Sequence, residues 1–235
     1  MKFSSSAGLD RIRQTSKRPV GAVPSGDSVD LSMGEPDFAA PTAVVEAMCS
    51  AVKEGYSHYG DLSGDPELRG EIARQATLRS SREVEPAQVS IGHGATGVLA
   101  SLVLALVGPG DRVVIPEPTY SLYSDLVEMV GGQVVWTPLR SDLQLDVPAI
   151  LSAARGAKLL ILCNPGNPTG AVFPEEDLRA IGNGLQGSET VVVSDEAYSA
   201  FTYGADFTSA VSIPELSERV VVVDTLSKTF ALTGY

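Results

Sequence analysis

The chain has 235 residues, of which 43% are hydrophobic and 20% are charged. These proportions are typical of a globular protein and exclude an intrinsically disordered one. Lysine and arginine total 17 against 29 aspartates and glutamates, which gives a net charge of −12. Because nucleic acids and anionic membrane surfaces favour basic partners, binding to either is disfavoured. The length predicts one large domain or two small ones.

The remaining composition argues against a membrane span, a metal site and a disulfide framework. The longest apolar stretch, residues 98–107, is interrupted by Ser101 and is far shorter than the roughly 20 residues of a transmembrane helix. The two histidines are too few and too scattered for a metal site. Cys49 and Cys163 have no CxxC spacing and fit a reducing compartment. We therefore predict a cytoplasmic protein.

The chain divides into a polar N-terminal segment and a regular α/β region. Residues 1–30 show little periodicity and are predicted to be an extended arm, which together with the following loop forms an N-terminal segment over residues 1–40. From residue 41 to 235, short β-branched runs alternate with stretches that carry apolar residues three and four apart. The predicted strands are 89–91, 112–115, 134–136, 159–162, 191–193 and 220–223. The predicted helices are 42–53, 66–79, 97–107, 119–130, 146–154 and 175–185.

The strands are continuously apolar, which is typical of strands buried on both faces of a parallel sheet. Their alternation with helices predicts a three-layer αβα domain. In such sheets, ligands bind outside the carboxyl ends of the strands, so the residues that follow each apolar run are candidate functional residues.

Three strand ends carry polar residues with two interpretations each. The loop Asn164–Gly170, Asn-Pro-Gly-Asn-Pro-Thr-Gly, is either a plain turn or a rigid loop that aims two amide side chains. Asp195 is either a helix cap or a buried carboxylate that pairs with a cation. Lys228 is either a solvated lysine or a nucleophile that burial keeps neutral.

The spacing of these residues favours a shared site. Asn167 and Asp195 are 28 residues apart, and Asp195 and Lys228 are 33 apart. Each interval is about one crossover unit, so we expect the three side chains at strand ends of one sheet. A lysine, an isolated carboxylate and an amide donor together suit pyridoxal 5'-phosphate, which needs an imine-forming lysine, a carboxylate on its pyridinium nitrogen and a donor to its phenolic oxygen.

The blocks Asn164–Gly170, Ser194–Tyr198 and Ser227–Lys228 occur in one order and at plausible spacing, and together they resemble class I/II aminotransferases of the fold-type-I pyridoxal-phosphate superfamily. The resemblance extends from about Leu31 to Tyr235. It implies the large domain of that fold, with a mostly parallel sheet. It also implies an enzyme of amino-acid metabolism that moves an amino group between an amino acid and a 2-oxo acid.

The resemblance also implies roles for the strand-end residues. Lys228 would form the internal aldimine with the cofactor and then shuttle the proton. Asp195 would hold the pyridine nitrogen protonated. Asn167 and Tyr198 would bond the phenolic oxygen, and Ser227 would contact the phosphate.

Further site residues follow from the same resemblance. Tyr120 would stack on the cofactor ring, although without the family context an ordinary core aromatic is the competing interpretation. Gly94-Ala95-Thr96 open a helix, where backbone N–H groups attract phosphate. Tyr59 would reach the phosphate of the neighbouring subunit, which implies a homodimer. Gly34 would lie beside the substrate carboxylate.

A competing hypothesis rests on Gly92–Gly97, which matches the GxGxxG fingerprint of Rossmann dinucleotide-binding proteins. It follows the predicted strand 89–91, opens a helix, and has Glu117 20 residues beyond its end. However, Pro116 and Pro118 flank Glu117, and the hypothesis leaves the three strand-end residues without a role.

The sequence departs from the family pattern at Tyr235, its last residue. The resemblance places a phosphate-binding arginine directly after this point. It also places later the final antiparallel strand, which lies between the first strand and the lysine-bearing strand, and a small C-terminal domain with a substrate-binding arginine. We therefore expect a fragment of a complete aminotransferase. A lyase or cyclase of the same fold and a catalytically deficient interaction protein are the alternatives.

Overall fold

The structure, a computed structural model, describes residues 6–12, 34–80 and 82–235. Residues 1–5 and 13–33 of the predicted N-terminal segment lie outside the described residues. Within the arm, Ala7–Arg11 form a short helix instead of extended chain, because Ser6 caps it and Arg11 anchors it. The Arg11 side chain donates hydrogen bonds to the carbonyl oxygens of Glu128 and Met129 at 2.8 and 3.1 Å.

The helices of the described ranges follow the predicted order closely. The helices predicted over 42–53 and 66–79 have those bounds. The α-helices are α1 (Ala7–Arg11), α2 (Thr42–Lys53), α3 (Pro66–Arg79), α4 (Gly94–Leu106), α5 (Leu122–Met129), α6 (Val147–Ala153), α7 (Glu175–Gly184) and α8 (Leu226–Thr229). Short 3₁₀ turns lie at Pro86–Gln88, Ala210–Ser212 and Pro214–Leu216. None of the helices in this part of the chain has the run of apolar residues that a bilayer span demands.

Within the described ranges, five strands form one parallel sheet in the order β2-β1-β3-β4-β5. They are β1 (Arg112–Glu117), β2 (Gln133–Pro138), β3 (Leu159–Cys163), β4 (Val191–Asp195) and β5 (Val220–Val223). Each coincides with a predicted strand to within two residues at either end. Because all five run in one direction, their carboxyl ends share one edge of the sheet.

Alternate strand residues enter two separate cores, as a three-layer domain requires. On one face, Leu160 and Val192 pack with residues of α6 and α7. On the other, Ile161 and Val193 pack with residues of α4 and α5. The observed architecture therefore confirms the predicted αβα class.

The predicted strand over 89–91 is wrong. Val89 has extended backbone angles, and the Ile91 N–H donates to the Ser63 carbonyl at 2.8 Å, but the segment joins no strand of the described sheet. A strand needs a neighbour to complete its hydrogen-bond ladder, and apolar composition alone does not provide one. The helix that follows begins at Gly94, three residues before the predicted start. The glycine fingerprint at 92–97 therefore lacks the preceding strand that dinucleotide binding requires.

Candidate active site

The carboxyl edge of the sheet brings the polar segments together. Asp195, the last residue of β4, pairs with Cys163 of β3 on one side and with Val223 of β5 on the other. The Asn164 N–H donates to the Asp195 carbonyl at 2.9 Å, and the Glu196 N–H donates to the Val223 carbonyl at 2.8 Å. The loop after β3, the end of β4 and the segment after β5 thus start from adjacent points.

Asp195 is a buried carboxylate with two hydrogen bonds and 5% of its surface exposed. The Tyr123 hydroxyl donates to its Oδ2 at 2.7 Å, and the Ala197 N–H donates to its Oδ1 at 3.2 Å. Burial raises the pKa of Asp195, and the Tyr123 hydrogen bond opposes that rise. No lysine or arginine among residues 6–12, 34–80 and 82–235 forms an ion pair with it. A cationic ligand group would supply the missing counter-charge.

Lys228, Tyr198, Asn167 and Gly34 form a second cluster. Lys228 lies on α8, and its Nζ is 6.0 Å from the centroid of the Tyr198 ring. The same Nζ donates to the Gly34 carbonyl at 2.7 Å. Asn167 Nδ2 donates to the Tyr198 hydroxyl at 3.4 Å. The structure therefore brings the candidate lysine, the two candidate phenolic-oxygen partners and the candidate substrate loop into one neighbourhood.

The two amides of the loop after β3 have different surroundings. Asn164 is 1% exposed, and its Oδ1 accepts a hydrogen bond from the Phe173 N–H at 2.9 Å, which closes the base of the loop. Its Nδ2 has no partner among the described residues. Asn167 instead contacts Tyr198. Only the second amide is therefore placed to contact a ligand together with Tyr198.

The candidate phosphate-binding residues lie at two helix starts. Gly94 begins α4 with φ of +62°, and no atom lies within 4 Å of the position a Cβ would occupy. The preceding His93 offers no side-chain cap, so the Ala95 and Thr96 N–H groups stand at an uncapped helix start. At α8, Thr225 accepts from the Ser227 N–H at 3.2 Å and its hydroxyl lies 3.0 Å from that of Ser227.

The two remaining candidates differ in their surroundings. Tyr120 is half-buried and packs edge-on against Tyr123, with ring centroids 5.7 Å apart and planes at 89°. Tyr59 and Leu62 are fully exposed, and the neighbouring Tyr56 is 78% exposed. The structure does not bring Tyr59 to the other site residues within this chain. Three bulky apolar side chains in one exposed segment are suited to contact with another chain.

Sequence reasoning missed Glu196, a second buried carboxylate next to Asp195. It is 2% exposed. It accepts hydrogen bonds from the Ser194 and Ser209 hydroxyls at 2.9 and 2.6 Å and from the Ala210 N–H at 2.8 Å. These bonds tie the end of β4 to the turn at Ala210–Ser212, and so they close the loop that carries Tyr198.

Burial raises the pKa of Glu196 from 4.5 to about 7, although its three hydrogen bonds act in the opposite direction. An acid with a raised pKa in the folded state destabilises the fold as the pH rises through the interval between the two pKa values. We therefore expect wild-type stability, relative to Glu196→Gln, to fall by about 1 to 3 kcal/mol between pH 4.5 and 7. Urea unfolding at several pH values measures this difference.

Glu218→Gln is the matched control, because Glu218 is exposed. Its stability should follow the wild-type curve throughout. Parallel curves for wild type and Glu196→Gln would contradict the assignment of this titration to Glu196.

Other reactive side chains at this edge have no comparable role. Burial raises the pKa of the Cys163 thiol to about 12, so it is neutral near pH 7 and a poor nucleophile. Across the described ranges, no group of three or more histidine, cysteine, aspartate or glutamate side chains is placed to hold a metal ion.

Comparison with known proteins gives consistent results. The family model "Aminotransferase class I and II" matches residues 26–235. An aspartate aminotransferase of Pinus pinaster is 37% identical over 213 residues, which cover 88% of this chain and 43% of that protein. The arginine–pyruvate transaminase AruH of Pseudomonas aeruginosa is 32% identical over 223 residues, which cover 93% of this chain and 56% of that protein.

A solved structure extends the similarity to the fold. N-succinyldiaminopimelate aminotransferase from Mycobacterium tuberculosis superimposes with a TM-score of 0.82 at 32% identity. The superposition covers 86% of this chain and 54% of that one. The chain spans about half the length of the curated relatives it matches.

Proposed function

The chain belongs to the class I and II aminotransferase family, and on that premise we propose that it is part of an enzyme that transfers an amino group between an amino acid and a 2-oxo acid with pyridoxal phosphate. In this proposal residues 41–235 are the cofactor domain and residues 1–40 are an arm with a substrate loop. The observation that carries the proposal is the convergence of Asp195, Asn167, Tyr198 and Lys228 at one edge of the sheet.

The residues present fit the cofactor by the chemistry of their donors. Asp195 is buried without a cationic partner in the described chain, which suits a protonated ring nitrogen. The uncapped start of α4 offers N–H groups and a positive dipole end to a phosphate. When bound, pyridoxal phosphate supplies an electron sink that stabilises negative charge at the carbon being deprotonated.

Each side chain then has a distinct task. Asp195 would keep a positive charge on the ring nitrogen, and Tyr120 would stack on the ring. Asn167 and Tyr198 would donate hydrogen bonds to the phenolic oxygen. Ser227, together with the Gly94–Thr96 backbone, would hold the phosphate.

Lys228 is the proposed covalent anchor and proton carrier. Its Nζ lies near the Tyr198 ring and contacts the Gly34 carbonyl, so it stands between the cofactor residues and the substrate loop. In this role its amine would take a proton from the substrate α-carbon and return it elsewhere. Gly34 marks the side from which the amino acid carboxylate approaches.

The proposal includes a homodimer in the cytoplasm that acts in a biosynthetic process. The exposed Tyr59, with Tyr56 and Leu62, is the segment proposed to reach the phosphate of the second subunit. The free cysteines Cys49 and Cys163 support a reducing compartment.

Direct tests of the proposal use the purified protein with added pyridoxal phosphate. Borohydride reduction followed by peptide mass spectrometry should find the cofactor on Lys228. A donor screen begins with aspartate and arginine, with pyruvate as acceptor, because relatives are named for these compounds. Formation of alanine supports transamination. If the amino-acid donor lost a substituent and no alanine formed, the result would instead favour a lyase. Cofactor attached to another lysine would overturn the role proposed for Lys228.

A further inference from the structure

Tyr123 contacts two residues of the proposed cofactor site but has no role in the proposed function above. It lies on α5 and is 1% exposed. Its hydroxyl donates to Asp195 Oδ2 at 2.7 Å, across 72 residues of sequence. Its ring meets the Tyr120 ring edge-on at a centroid distance of 5.7 Å. One buried side chain therefore contacts both the candidate ring-nitrogen partner and the candidate stacking ring.

We propose that Tyr123 is a positioning residue whose hydroxyl holds Asp195 in its ionised form and in a fixed orientation toward the cofactor ring. This inference rests on the proposed function, because it concerns the same site. It assigns the control of the Asp195 charge to the hydroxyl of Tyr123 and not to its ring.

The geometry gives the hydroxyl a single direction of donation. An ionised carboxylate only accepts hydrogen bonds, whereas a protonated carboxyl group also carries an O–H donor that needs an acceptor. Burial raises the pKa of Tyr123 far above its ordinary value, so the phenol remains a donor throughout the working pH range. A short bond from a permanent donor favours the charged form of its acceptor.

The other groups around Asp195 do not replace this donor. Cys163 on the adjacent strand is a neutral thiol, since burial raises its pKa to about 12. Tyr198 lies after β4 and has a pKa raised mainly by burial. Asp224, after β5, is a like charge that raises the pKa of Asp195. The Ala197 N–H donates to the other carboxylate oxygen at a longer 3.2 Å. Tyr123 is thus the side chain whose hydrogen bond lowers the pKa of Asp195, against the rise caused by burial and by Asp224.

The test compares Tyr123→Phe with Tyr203→Phe. The first variant removes the buried hydroxyl and keeps the ring that packs on Tyr120. The second removes a hydroxyl from a side chain that is 87% exposed. Pyridoxal phosphate affinity is measured by absorbance titration from pH 5 to pH 8.

We expect Tyr123→Phe to bind the cofactor about 10- to 100-fold more weakly than wild type at the acidic end, with the difference shrinking as pH rises. The reason is that Asp195 without its donor ionises at a higher pH. Tyr203→Phe should match wild type at every pH. In an Asp195→Asn background, Tyr123→Phe should cause no further pH-dependent loss. A loss of equal size at all pH values would show a packing role and overturn the proposal.

A second measurement does not depend on the cofactor. Carbon-13 NMR of protein labelled at aspartate carboxyl groups follows the ionisation of Asp195, whose signal is assigned by its absence in Asp195→Asn. Tyr123→Phe should raise the pH at which this signal titrates, and an unchanged titration would overturn the proposal. If wild type fails to bind pyridoxal phosphate, the proposed function fails, while this titration still decides whether Tyr123 sets the charge of Asp195.

Discussion

Replacing Lys228 by alanine is expected to lower the rate of amino transfer by at least about 10²- to 10⁴-fold, the usual contribution of a positioned proton carrier. The variant should also lose borohydride-dependent attachment of pyridoxal phosphate. The physical reason is that the proposed function makes Nζ both the anchor and the proton carrier, and alanine has no atom that can do either. Stopped-flow kinetics and peptide mass spectrometry measure the two losses separately.

Lys158→Ala provides the matched control for this experiment. Lys158 is exposed and lies directly before β3, at the opposite end of the strand from the candidate site. Its loss should leave both measurements unchanged. Full activity in Lys228→Ala, or attachment to a different lysine in that variant, would contradict the role given to Lys228.

The second large effect is expected from Asp195→Asn. The substitution preserves the size of the side chain and removes its charge at a buried position. Removing one partner of a buried ion pair costs about 3 to 5 kcal/mol, so affinity for pyridoxal phosphate should fall by about 10²- to 4 × 10³-fold. Equilibrium titration monitored by cofactor absorbance measures this change.

An exposed aspartate distinguishes this effect from a general loss of charge. Asp206→Asn removes the same charge from an exposed position, and its cofactor affinity should equal that of wild type. If Asp195→Asn bound the cofactor as tightly as Asp206→Asn does, the carboxylate would not be the partner of a cationic ring.

The centre of the sheet could be predicted from the sequence because β1, β3 and β4 are buried on both faces. Runs such as Leu159–Leu162 and Val191–Val193 are apolar at every position, and a buried parallel strand requires this pattern. The run at 89–91 is shorter and contains a serine, and whether it forms a strand depends on a neighbour rather than on its own residues. Local sequence therefore predicted all five strands of the described sheet, but it could not show that the run at 89–91 has no strand to pair with.

The candidate site was predictable to the extent that its residues follow strands. Asp195 and Lys228 lie two and five residues after apolar runs, in the region where a parallel sheet binds its ligands. Tyr123 escaped notice because helical periodicity makes a buried tyrosine look like any core aromatic, although a buried hydroxyl requires a partner. Glu196 escaped notice because its partners Ser209 and Ala210 lie in a loop without any periodic pattern.

The two consecutive carboxylates at the end of β4 point into different layers of the molecule. Asp195 joins Tyr123 in the layer that contains α5, whereas Glu196 joins Ser209 and Ala210 in the layer of the opposite core. The sheet therefore separates the contacts of two consecutive residues, those of Asp195 on one side and those of Glu196 on the other. Under the proposed function, we expect substitutions in the α5 layer to change cofactor affinity and those in the other layer to change the stability of the loop bearing Tyr198. The two properties should therefore respond separately to substitutions on opposite sides of β4.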